Sequence, residues 1–116
     1  MNLKPIELAH TIVNALEDKK GENIVLIDLQ GVAAFTDYFV IATGTSDRML
    51  DSLAETATKE VKDKYQINGR EEGQAKDGWM VVDFGDVVLH LFAPEEREYY
   101  RLEELWDTGK VLLRLM

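Results

Sequence analysis

Apolar positions recur with helical period from the start of the chain. After Pro5, which suits a first helical turn because its missing N–H is no loss there, Ile6, Ala9, Val13 and Leu16 share one face with Leu8 and Ile12 beside them. This predicts an amphipathic helix that ends near Lys19-Lys20-Gly21, with Gly21 in the left-handed conformation. Ile24-Val25-Leu26-Ile27 and Tyr38-Phe39-Val40-Ile41-Ala42 are short branched and aromatic runs between turn residues, and both read as buried strands. From Ser46, a side chain suited to cap a helix, Leu50, Leu53, Ala54, Ala57, Val61 and Tyr65 trace a second helical face. The polar stretch from Gly69 to Asp77 is a connector with room for a short edge strand at Arg70-Glu71-Glu72.

Trp79 to Phe84 and Val87 to Phe92 flank Gly85-Asp86, a dipeptide suited to a two-residue turn with positive φ, so they predict a hairpin. That turn sets Trp79 against Phe92, Val81 against His90, Asp83 against Val88 and Phe84 against Val87. Alternation then gives one wholly apolar face, Met80, Val82, Phe84, Val87, Leu89 and Leu91, which we place inward. The outer face carries Trp79, Val81, Asp83, Val88, His90 and Phe92, with His90 on a half-exposed strand. Pro94 opens a last helix in which Tyr99, Leu102, Leu105 and Trp106 follow at helical spacing as far as Asp107-Thr108-Gly109. Residues 1–109 thus make a single domain and 110–116 a short apolar tail that docks on the domain or on a partner. The order of elements predicts a mixed α/β sheet flanked by helices.

Composition narrows the function. At 46% hydrophobic and 30% charged residues, the 116-residue chain is too apolar to stay disordered and long enough for one core. Its net charge of −9 repels phosphate backbones and anionic lipid, which speaks against direct nucleic-acid or membrane binding. The absence of cysteine removes thiol nucleophiles, disulfides and thiolate metal sites. His10 and His90 stand far apart and in no metal-ligand spacing, so no metal or cofactor is expected. Met1-Asn2-Leu3-Lys4-Pro5 leads into a segment with acids and no long apolar run, and we expect a soluble, cytoplasmic protein.

Gly44-Thr45-Ser46 joins a strand to a helix and could cradle a phosphate; it also serves as a plain helix cap, the reading that Asp47 favours. The same junction looks like the Gly-Ser turn of the nucleotidyltransferase fold. Its magnesium-binding acids would have to be Asp83 and Asp86, which the proposed turn separates, so no catalytic residue is assigned and the protein is not read as an enzyme. What stands out is the aromatic area of Trp79, Phe92, Tyr99, Tyr100 and Trp106, ringed by Asp77, Asp83, Glu95, Glu96, Glu98, Glu103 and Glu104. Leu102 and Trp106 either pack their helix on the sheet or meet a partner. An aromatic centre with an acidic surround suits a basic protein surface.

Three groups of residues, Thr36 to Arg48, Gly78-Trp79 with Val82 to His90, and Arg97-Glu98-Tyr99-Tyr100 with Leu102-Glu103 and Leu105-Trp106, resemble in order and spacing the ribosomal silencing factor (RsfS, or Iojap-like) family. The resemblance spans nearly the whole chain, with Lys110 to Met116 beyond the family core. It implies a nucleotidyltransferase-like fold without catalytic residues. It also implies binding to the fourteenth large-subunit ribosomal protein at the intersubunit face, a steric block to small-subunit association, repression of translation, a part in large-subunit biogenesis, and a homodimer when free. The contact positions it carries over are Trp79, Glu98, Tyr99, Leu102 and Trp106, to which the outer face adds Val81, His90 and Tyr100. Two other classes compete: a magnesium-dependent nucleotidyltransferase-like enzyme, and a purely structural homodimer that uses the aromatic surface on itself.

Overall fold

The computed structural model describes residues 3–116; Met1 and Asn2, with which the expected domain begins, lie outside it. In chain order the elements are α1 (Pro5–Asp18), β1 (Glu22–Asp28), β2 (Tyr38–Thr43), α2 (Asp47–Tyr65), β3 (Arg70–Glu72), a 3-10 turn at Ala75–Asp77, β4 (Trp79–Asp83), β5 (Val87–Phe92), α3 (Pro94–Tyr100), α4 (Leu102–Leu105) and β6 (Lys110–Leu115). The strands form one six-stranded sheet in the order β3-β4-β5-β2-β1-β6. Only the β2–β5 pair is parallel. The antiparallel pairs are local or lie at the edges, and the α2 crossover supplies the length of chain that a parallel pair needs.

The hairpin has the register that its turn residues predict, Trp79 facing Phe92 and Asp83 facing Val88, and the Phe84 N–H donates to the Val87 carbonyl at 2.9 Å. In the turn only Gly85 takes a positive φ, at 93°, and its N–H is held by Asp83 Oδ1 at 2.8 Å. Met80, Val82, Phe84, Val87, Leu89 and Leu91 point inward as expected and meet α1 and α2 in the larger core. Ser46 caps α2 by accepting from the Met49 N–H at 3.1 Å. A Cβ on Gly44 would come within 2.9 Å of Leu50 Cδ2, so the strand-to-helix junction packs too tightly for a side chain.

Several expectations are corrected. The left-handed residue closing α1 is Lys20, with φ 63°, while the Gly21 N–H reaches back to the Leu16 carbonyl at 2.8 Å. Gly21 therefore serves by its small size, lying where a Cβ would press on Leu16 and Leu53. The apolar tail is strand β6, paired antiparallel to β1, because its alternating Leu113 and Leu115 pack on the larger core. The single last helix is broken at Arg101, which sits at φ 45° and ψ 54° between α3 and α4. On an unbroken helix Arg97 and Glu103, six residues apart, would point about 120° away from each other. The break lets them pair, with Arg97 Nη2 3.1 Å from Glu103 Oε2.

Candidate functional site

The second face of the sheet carries the site. Val25, Ile27, Leu29, Phe39, Ile41, Val88, Phe92 and Leu102 form its buried floor, against which Trp79, Val81 and Trp106 are half-buried. His90, expected on a half-exposed strand, is buried with only 7% of its surface exposed, because the Trp79 and Phe39 rings close over it. Leu102 is likewise buried, so it braces α4 on the sheet, and it and His90 act on any visitor only through the rings above them.

Strand pairing sets the first ring contact. Trp79 and Phe92 face each other across the β4–β5 ladder and stack at 4.9 Å between centroids. The Trp79 Nε1–H donates to His90 Nδ1 at 3.2 Å, so the neutral imidazole carries its proton on Nε2, which is buried without a partner. Burial pushes the His90 pKa down from 6.5 to about 4. The ring is therefore uncharged at neutral pH and acts as an acceptor that orients the indole.

Tyr100 covers Trp79 at 4.6 Å and Tyr99 meets Tyr100 edge to face at 4.9 Å. In the other direction the His90 ring lies 4.5 Å from Phe39, Phe39 lies 5.9 Å from Trp106, and Trp106 lies 5.8 Å from Phe35. One row of aromatic rings thus crosses the sheet, buried in the middle and open at both ends. The structure joins Trp79, Val81, His90, Tyr99 and Tyr100 at one end; Trp106 stands at the other, linked to them through Phe39. Glu98 does not touch the row and pairs with Arg101 at 2.6 Å on the exposed side of α3.

Arg97 holds this cover in place. Its Nη1 donates to the Asn23 carbonyl at 2.6 Å and to Thr43 Oγ1 at 2.9 Å, and its Nε and Nη2 donate to Glu103 Oε2 at 3.3 and 3.1 Å. A single guanidinium therefore ties α3 to β1, β2 and α4. No local pattern in the sequence gives Arg97 this role, since its partners lie up to 74 positions away. Phe35 was missed altogether. Its one signal is a phenylalanine set in a loop between Ala34 and Thr36, where no periodicity asks for one.

The remaining chemistry is occupied by structure. Asp83 pairs with Arg70 at 3.5 Å and holds the Gly85 N–H, while the Asp86 carbonyl accepts from Thr36 Oγ1 at 2.9 Å. The Thr45 N–H beside the Ser46 cap donates to Met49 Sδ at 3.3 Å. Among the described residues no group of three or more His, Asp or Glu stands ready to hold a metal ion, and no helix is long and apolar enough to cross a membrane. A cleft of about 580 Å³ beside Arg97 is lined by charged side chains, and none of Trp79, Tyr99, Tyr100 or Trp106 borders it. The aromatic row is thus a surface and not a small-molecule pocket.

The family model described as "Ribosomal silencing factor during starvation" matches residues 2–113. The chain belongs to the ribosomal silencing factor family. The match runs into β6. The ribosomal silencing factor of Bacillus subtilis is 41% identical over 99 residues, which cover 82% of this chain and 80% of that protein. A mouse protein named for mitochondrial assembly of the ribosomal large subunit is 39% identical over 98 residues, 82% of this chain and 43% of its own length. A crystal structure of a Chromobacterium violaceum protein superposes with a TM-score of 0.86 at 32% identity, covering 90% of this chain and 88% of the other. The silencing-factor relatives carry a regulatory name and not an enzymatic one.

Proposed function

We propose that the protein represses translation by docking on the large ribosomal subunit, at the intersubunit face, through the fourteenth large-subunit ribosomal protein, and so keeps the small subunit from joining. The observation that carries this reading is the open end of the aromatic row, Trp79 under Tyr100 with Tyr99 80% exposed, on a short helix whose first turn carries Glu95 and Glu96. Exposed tyrosine and half-exposed tryptophan supply anchor area for a protein partner, and the acids with the net charge of −9 attract a basic one while repelling ribosomal RNA. Inhibition needs occupancy alone: a bound protein and the small subunit exclude each other, so repression follows affinity and concentration.

In this reading there is no catalysis. The fold is nucleotidyltransferase-like, but the Gly-Ser turn caps α2 and the two acids belong to a hairpin turn, which leaves no pair to hold magnesium. The protein acts in the cytoplasm, is a homodimer when free, and assists large-subunit biogenesis in the same bound position. Sedimentation of the chain through a sucrose gradient with separated ribosomal subunits tests the reading. The wild type travels with large subunits and prevents their joining to small ones, and Trp79→Ala weakens that binding by more than about 1 kcal/mol. A protein that stays at the top of the gradient, as a dimer that never joins a subunit, sinks the reading.

A further inference from the structure

We infer that the docking surface has a second contact area at the far end of the aromatic row, formed by Phe35 of the β1–β2 loop against Trp106, with the exposed Leu105 that precedes Trp106 in the chain. It receives an apolar patch, rimmed by lysine or arginine, on the same basic ribosomal protein; this rests on the function proposed above. Phe35 is 60% exposed and Leu105 71%, a large apolar outlay for two surface side chains. Beneath them the core is already sealed by Phe39 and Leu102.

The loop that carries Phe35 is tied down at both ends. The Leu29 N–H donates to the Asp37 carbonyl, the Val32 and Ala33 N–H groups donate to the Leu29 carbonyl at 2.9 Å, and the Asp37 N–H donates to the Asp86 carbonyl at 3.0 Å. Thr36 Oγ1 adds a bond to the same Asp86 carbonyl. The Phe35 ring also rests against Phe39 and Trp106. A side chain held in this way loses little freedom when a partner covers it, which is how a rigid contact gains affinity.

Charge chooses the occupant. Asp37 follows Phe35 by two residues, and Glu104 and Asp107 flank Leu105-Trp106; among the described residues Glu104 alone of these forms an ion pair, with Arg101 Nη1 at 3.8 Å. The patch therefore has an acidic rim on a chain of net charge −9. A second copy of the same chain would bring like charge to the rim, whereas a basic surface completes it. The two open ends lie on one face of one sheet, so a single partner reaches both.

Titration of purified large ribosomal subunits with wild type, Phe35→Ala/Leu105→Ala, Tyr99→Ala and the triple variant decides the matter, with thermal unfolding and the oligomeric state of each variant as checks. The double variant unfolds near the wild-type temperature, binds about tenfold more weakly, and its loss multiplies with that of Tyr99→Ala. Wild-type affinity in the double variant, with a weakened Tyr99→Ala, removes the second contact and leaves the proposed function standing. Wild-type affinity in both, or no binding by the wild type itself, overturns the docking surface as a whole. A double variant that no longer assembles a dimer yet binds subunits normally assigns the patch to self-association and also overturns the inference.

Discussion

The two faces of the sheet are closed in different ways. On one, two amphipathic helices of 14 and 19 residues lay aliphatic side chains over Ile24, Leu26, Val40, Val82 and Leu89. On the other, helices of only seven and four residues and a loop cover aromatic rings, and no residue of α3 is buried. Long helices bury a continuous stripe and need no special fastening. Short pieces cannot, so their position depends on Arg97 and on ring contacts, and rings are left at the surface. The first face stabilises the domain; the second trades closure for exposed aromatic area, the surface on which the proposed partner would land.

The sharpest way to break this contrast is to weaken each side in turn. Leu53→Ala on the helix side leaves a cavity in the larger core and costs about 3–4 kcal/mol in denaturant unfolding, with subunit affinity unchanged wherever the protein stays folded. Arg97→Met strips Glu103 of its partner and releases α3 from Asn23 and Thr43. It costs about 3 kcal/mol, and its signature is faster amide exchange confined to α3 and α4.

The pH dependence separates the faces by a smaller amount. Because the His90 pKa falls from 6.5 to about 4 on folding, the unfolded chain binds more protons between those values and stability rises with pH across the window. The contribution, about 3 kcal/mol at most, is complete above pH 6.5 and is lost as pH falls to about 4. His90→Asn, which keeps an acceptor for the Trp79 indole without a titrating ring, flattens the slope over that range in unfolding titrations. An unchanged slope would mean that another group is responsible. The smallest effect on folding belongs to Tyr99→Ala, within about 0.5 kcal/mol for a side chain so exposed, while its subunit affinity drops several-fold. Equal losses in stability and binding would show that Tyr99 is structural and that the second face is merely an incomplete core.

Much of the first face was legible. Ile6 to Leu16 and Leu50 to Val61 announce their helices by period, Ser46 marks a cap, and Gly85-Asp86 sets the hairpin register, each through neighbours within a few residues. The aromatic character of the second face was legible too, in Trp79, Tyr99, Tyr100 and Trp106. What covers it was not. Alternation says which side of a strand a residue occupies and says nothing of what lies over that side, so His90 reads as half-exposed until Trp79 and Phe39 close on it. Periodicity runs straight through Arg101, and only Arg97, anchored 54 and 74 residues back along the chain, makes a break there worthwhile. The sequence by itself determined the two long helices, the Ser46 cap and the register of the hairpin, because those depend on local sterics and hydrogen bonds. Tertiary structure decided the broken helix, the buried imidazole, the docking of β6 and the exposure of Phe35, because each arises from contacts between segments that nothing local can bring together.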